Sequence, residues 1–84
     1  MKIKVLGPGC MKCQRLYADV IKALESTGIT TAEVEKVEKI DEIMSYGVMS
    51  TPALIIDGEV KSSGRLPKVS EIAVWIINAA AKEG

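Results

Sequence analysis

Two hydrophobic periods meet across the three-residue turn Gly7-Pro8-Gly9, and that junction constrains the fold of this chain more than any other feature. Lys2-Ile3-Lys4-Val5-Leu6 is β-branched and alternates polar with apolar residues, which predicts a half-buried strand. From Cys13 onward the apolar residues fall at positions 13, 16, 17, 20, 21 and 24, the spacing of one buried helical face. The pattern predicts a helix over 10–27, with Gly28 supplying a left-handed stop. A strand that turns so tightly into a helix opens a layered α/β unit.

The remaining elements follow from similar local signals. Residues 30–38 are rich in β-branched types, and Ala32 and Val34 alternate with Glu33 and Glu35. Those carboxylates suit an exposed edge strand that must not pair with other molecules. Asp41 is placed to cap a short helix carrying Ile43 and Met44 and ended by Gly47. Pro52-Ala53-Leu54-Ile55-Ile56 is an almost continuous apolar run, as a central strand requires. Asp57-Gly58 is a two-residue hairpin signal that returns Glu59 to Ser63 as the partner strand. A last helix begins near Pro67, with Val69, Ile72, Ala73, Ile76, Ala79 and Ala80 on its inner face. Val74, Trp75 and Ile77 lie off that stripe. They read first as a widening of the packed face and second as a surface for a partner or another copy of the chain.

The first two strands, joined through a helix, are expected to be parallel, and the hairpin adds two antiparallel strands. The expected fold class is therefore α/β, a mixed four-stranded sheet built in the order βαβαββα with helices on both faces. It forms one domain over residues 1–84, since 84 residues suffice for one compact unit and not for two.

Composition narrows the function classes. With 48% hydrophobic residues, a core can form without disulfide staples or a structural metal. Lys+Arg and Asp+Glu both number 11, so no net charge steers the chain to nucleic acid or an acidic membrane surface. There is no histidine, which removes imidazole bases and any Cys/His zinc site made within one chain. Gly7 cuts short the apolar start well before the roughly 7–15 residues of a signal-peptide core, and no run reaches the roughly 18 of a membrane span. A soluble cytoplasmic protein is expected. In a reducing compartment two cysteines this close are expected to be catalytic or metal-binding rather than a structural bridge.

Cys10 and Cys13 stand three apart at the opening of the first predicted helix, within reach of a disulfide. The thiolate is the nucleophile, and a free cysteine is only a few per cent ionised at neutral pH. Unpaired N–H groups and the positive end of the helix dipole favour the anion, and Lys12 adds a cation in the same turn. Moving the thiol to about pKa 7 would raise the thiolate fraction roughly tenfold for about 2 kcal/mol. Cys10, at the opening, is the expected nucleophile. Cys13, on the apolar stripe, is the expected buried partner that resolves a mixed disulfide. Gly9 has two readings of equal standing, room for a substrate backbone and an ordinary turn. Tyr17, one turn beyond Cys13, is expected to pack in the core.

The chain resembles the thioredoxin superfamily, most closely its compact glutaredoxin-sized members, the small redox-active disulfide proteins of archaea and bacteria. The resemblance spans nearly the whole chain. It is carried by Gly7-Pro8-Gly9-Cys10-Met11-Lys12-Cys13, by Tyr46-Gly47-Val48-Met49-Ser50-Thr51-Pro52-Ala53-Leu54, and by Ser63-Gly64-Arg65. It implies a thioredoxin-like fold in which Pro52 is a cis-proline facing the dithiol and Thr51 pairs with an extended substrate peptide. It also implies protein disulfide substrates and an upstream reductase. The chain departs from the family pattern in three places. Gly9 stands where a tryptophan usually precedes the first cysteine. Residues 1–9 contain no acid to receive the second cysteine's proton, which needs water or another group. Only Gly64 is present where glutaredoxins carry two glycines, so glutathione is not favoured, although Lys12, Thr51 and Arg65 are available to carboxylates.

The expected function is thiol–disulfide exchange through Cys10 and Cys13, with no cofactor beyond their disulfide, no metal, and a monomeric chain that associates weakly, if at all, through its last helix. Two other classes compete with it. One is a Cu(I) chaperone using Cys10, Cys13 and Met11, against which stand a chain ending in a helix and the Thr51-Pro52 pair. The other is an interaction module docking through Val74, Trp75 and Ile77.

Overall fold

The computed structural model describes residues 1–83. Its elements run β1 (Lys2–Leu6), α1 (Met11–Thr27), β2 (Glu33–Val37), α2 (Ile40–Ser45), β3 (Ala53–Ile56), β4 (Glu59–Ser63) and α3 (Val69–Glu83). The four strands form one mixed sheet in the spatial order β2-β1-β3-β4. β1 pairs parallel to β2 from Lys2↔Glu33 to Leu6↔Val37 and antiparallel to β3 from Ile3↔Ile56 to Leu6↔Ala53. Asp57 and Gly58 turn β3 into β4 with both residues at positive φ, 49° and 81°, the conformation that a two-residue hairpin between twisted strands requires.

The alternation along the two central strands divides the core between the faces of the sheet. Ile3, Val5, Leu54 and Ile56 meet Leu16, Val20 and Ala23 of α1 and Ile72 and Ile76 of α3. On the opposite face Leu6, Val37, Ala53 and Ile55 are covered by Ile43 of α2 and Val48. Each fully buried aliphatic side chain contributes about 1.5–3 kcal/mol. An exposed ion pair contributes at most about 1. The two apolar layers therefore hold the fold, and pairs such as Lys61–Glu59 trim it.

Element ends show where local chemistry decides. α1 stops where Gly28, at φ 72°, donates its N–H to Leu24 and Glu25 carbonyls. The cap of α2 is Lys39, not Asp41; Asp41 lies inside the first turn, where its charge still complements the helix dipole. α3 begins after Pro67, which is buried. The Glu71 carboxylate reaches back to the Lys68 N–H at 3.1 Å, the carboxylate half of a capping box, and holds Arg65 bidentately at 3.2 and 3.4 Å. Arg65 and the Lys68 amide hold the Glu71 carboxyl below its ordinary range. β2 starts at Glu33 rather than Thr30, because β1 offers only Lys2 through Leu6 to pair with.

The outer residues of α3 divide. Trp75 packs against the core, whereas Val74 and Ile77 are exposed, so for those two the packed-face reading fails. α3 turns only one stripe toward α1 and the sheet, and these two side chains lie beyond its edge. No helix among the described residues is long and apolar enough to cross a membrane.

Candidate active site

The first turn of α1 brings the two cysteines together. Cys10 is the N-cap residue, extended at φ −67° and ψ 168°, which leaves it exposed at the mouth of the helix. Cys13, one turn in, is 5% exposed. Their sulfurs are in direct contact, 2.6 Å apart and within bonding reach of each other. Closing the bond requires almost no backbone movement.

The environment treats the two thiols oppositely. The contact with Cys13 Sγ lowers the Cys10 pKa most, followed by the Cys13 backbone N–H; burial opposes them, and the N–H groups of Lys12 and of Cys10 itself add lesser lowering effects. None of these N–H groups makes a full capping bond, so the sulfur sits in their field rather than on a single donor. No acidic residue lies in this first turn to oppose it. Burial pushes the Cys13 thiol up, and the bond to Cys10 pushes the same way. Of the two, Cys13 is the thiol whose surroundings favour keeping the proton. Lys12 contributes its amide; its side chain is exposed to solvent.

Gly7 makes the buried position of Cys13 possible. A Cβ at Gly7 would lie 2.2 Å from Cys13 Sγ and 3.9 Å from Thr51 Cβ, so the absence of a side chain there lets three segments meet. The Gly7 N–H donates to the Val37 carbonyl at 2.9 Å, extending the β1–β2 ladder into the turn. Gly9 adopts φ 93°, a turn requirement, and Gln14 Nε2 donates to its carbonyl at 3.1 Å. Nothing in the sequence marks Gly7 as different from Gly9, because its contact is made by a residue on the following helical turn.

Thr51 and Pro52 are carried to the same end of the sheet by the start of β3. Thr51 is exposed, Pro52 is buried, and the peptide bond between them is cis. The hairpin end fastens this loop. Gly64 N–H donates to the Pro52 carbonyl at 2.9 Å and Ser63 Oγ to the Ser50 carbonyl at 3.0 Å. Gly64, at φ 76°, leaves no room for a Cβ beside Ser50. Beside Thr51 an apolar depression of about 520 Å³ is walled by Pro8, Ile40, Met44 and Met49, of which Met49 is 97% exposed. Tyr17 packs against the core, and Lys36 Nζ sits 4.4 Å above its ring. Among the described residues no cluster of three or more His, Cys, Asp or Glu is placed to hold a metal ion.

Known proteins resemble this chain over most of its length. A family model described as thioredoxin domain matches residues 1–77. The thioredoxin of Methanothermobacter thermautotrophicus is 40% identical over 72 residues, covering 86% of this chain and 92% of that protein. The thioredoxin of Methanocaldococcus jannaschii is 40% identical over 70 residues, covering 83% of this chain and 79% of that protein. The chain belongs to the thioredoxin family of thiol–disulfide oxidoreductases.

Proposed function

We propose that the protein reduces or exchanges protein disulfides through Cys10 and Cys13, with Cys10 as nucleophile and Cys13 as the resolving thiol. The observation that carries this reading is the asymmetry of the pair: sulfurs 2.6 Å apart, one exposed with its pKa lowered, the other buried with its pKa raised. Cys10 attacks a substrate disulfide, forming a mixed disulfide and releasing one substrate thiol. Cys13 then attacks Cys10, and the second substrate thiol leaves. The electrons reside in the two cysteines, so no further cofactor enters the cycle.

Thr51 and Pro52 form the wall against which the substrate chain lies, as an added strand along the start of β3. The apolar depression beside Thr51 suits side chains flanking a disulfide in a protein more than it suits a small charged thiol. This supports protein substrates over glutathione, and an upstream reductase returns the pair to the dithiol. A cytoplasmic setting, where thiols are kept reduced, fits a dithiol of this kind. The Cu(I) chaperone alternative gains nothing from the relatives.

The test is electron transfer to insulin. The reduced protein is expected to reduce insulin disulfides, forming one Cys10–Cys13 disulfide for each bond broken, read by thiol counting and mass. Absence of transfer from fully reduced protein would overturn the proposal.

A further inference from the structure

A cavity of about 280 Å³, room for several waters, opens beside the buried thiol and is lined by Gly9, Cys13, Gln14, Lys36 and Glu38, among others. Glu38 follows the last residue of β2. The pairing Leu6↔Val37 sets it alongside the turn between β1 and α1. Its Oε2 lies 3.1 Å from the point that a Cβ on Gly9 would occupy, so the carboxylate leans over the turn that carries the cysteines. Lys36, the only cation among the described residues that line the cavity, is placed over the Tyr17 ring. The groups facing Glu38 across the cavity are therefore Cys13 and Gln14 of α1 and Lys36 of β2; Gly9 carries nothing titratable.

We propose that Glu38 is the proton acceptor for Cys13, receiving the thiol proton through solvent in the cavity they share when Cys13 resolves a mixed disulfide. This rests on the dithiol reading above. Cys13 is protonated at rest and must lose that proton to attack. A carboxylate is a weaker base than a thiolate, so the proton moves as the new bond forms rather than before it. Cys13 Sγ bonds to Cys10 Sγ while the Cys10–substrate bond breaks. The electron pair of that bond leaves on the substrate sulfur, which is protonated from the Glu38 carboxylic acid or from solvent. The two cysteines are oxidised by two electrons and the substrate disulfide is reduced by the same two. Gly9 has a part in this: a side chain there would meet the carboxylate.

The test uses 4,4′-dithiodipyridine, an uncharged disulfide whose encounter with the protein does not depend on the charge at position 38. Mixed with reduced protein, it releases one pyridinethione when Cys10 attacks and a second when Cys13 resolves. Glu38→Gln is expected to leave the first phase unchanged and to slow the second about a hundredfold at neutral pH, the low end of general-base effects. The second phase in Glu38→Gln is expected to rise about tenfold per pH unit, tracking the thiolate fraction, whereas in the native protein it changes little across neutral pH. Glu38→Asp is expected to restore most of the rate. A Glu38→Gln second phase of native rate and pH profile, after a normal first phase, would overturn the role of Glu38 and leave the dithiol intact. Native protein that never releases the second equivalent would overturn both.

Discussion

Cys10→Ser is expected to lose disulfide turnover entirely, and Cys13→Ser to halt halfway with substrate covalently attached to Cys10. The two outcomes differ because the thiols differ. With Cys10 removed, the remaining sulfur is 5% exposed and its pKa is raised by burial, so it neither meets a substrate disulfide nor ionises readily. With Cys13 removed, Cys10 stays exposed at the helix mouth and keeps the field of the N–H groups at residues 10, 12 and 13. Its contact with Cys13 Sγ, the largest influence lowering its pKa, gives way to a shorter hydroxyl, so the rate of its attack changes while its position does not. The hydroxyl that replaces the Cys13 thiol cannot resolve the mixed disulfide, which accumulates. Mass spectrometry of each variant after incubation with a disulfide-containing protein reads the difference directly. An adduct on Cys10→Ser, or its absence on Cys13→Ser, would reverse the assigned roles.

Gly7→Ala is expected to damage both stability and the resolution step. The added methyl would lie 2.2 Å from Cys13 Sγ and 3.0 Å from Cys13 Cβ, closer than carbon and sulfur approach without displacement. The turn cannot yield easily, because Gly7 N–H is bonded to Val37 and Thr51 closes the other side. Cys13 must therefore move away from Cys10, or α1 must shift on the sheet. Overpacking of this kind costs about 1–3 kcal/mol, measurable in a denaturant titration. Chemically, mixed disulfides formed by Cys10 should persist longer than in the native protein, since the resolving sulfur has been displaced. Gly9→Ala provides the contrast. It meets strain from φ 93° and crowds only the Glu38 carboxylate, not Cys13.

Much of this architecture was legible because it is local. The helix expected over 10–27 is found at Met11–Thr27, and the Asp57-Gly58 turn joins the two strands expected on either side of it. Both depend on residues adjacent in sequence: an apolar stripe with a glycine stop, and a dipeptide that tolerates positive φ. Parallel pairing of β1 and β2 followed from the handedness of a helical crossover. What escaped depends on contacts between distant segments. The collision awaiting a side chain at Gly7 exists only because the first turn of α1 folds back beneath it. Glu38 reaches the cavity beside Cys13 only in the register that pairs Leu6 with Val37, which no local pattern specifies. Asp41 looked like a cap by residue type, yet the helix opens earlier, directly after Lys39. Val74 and Ile77 looked able to widen a buried face, but α3 packs along a narrower stripe.

The account stands on a sulfur made anionic where α1 begins, and alkylation of the reduced, folded protein by iodoacetamide across pH reads that property at each cysteine. Cys10 is expected to be modified first, with a half-maximal rate at a pH below that of free cysteine, while Cys13 stays unmodified until the protein is unfolded. A Cys10 midpoint at or above the free-cysteine value, or labelling of Cys13 ahead of Cys10, would contradict it.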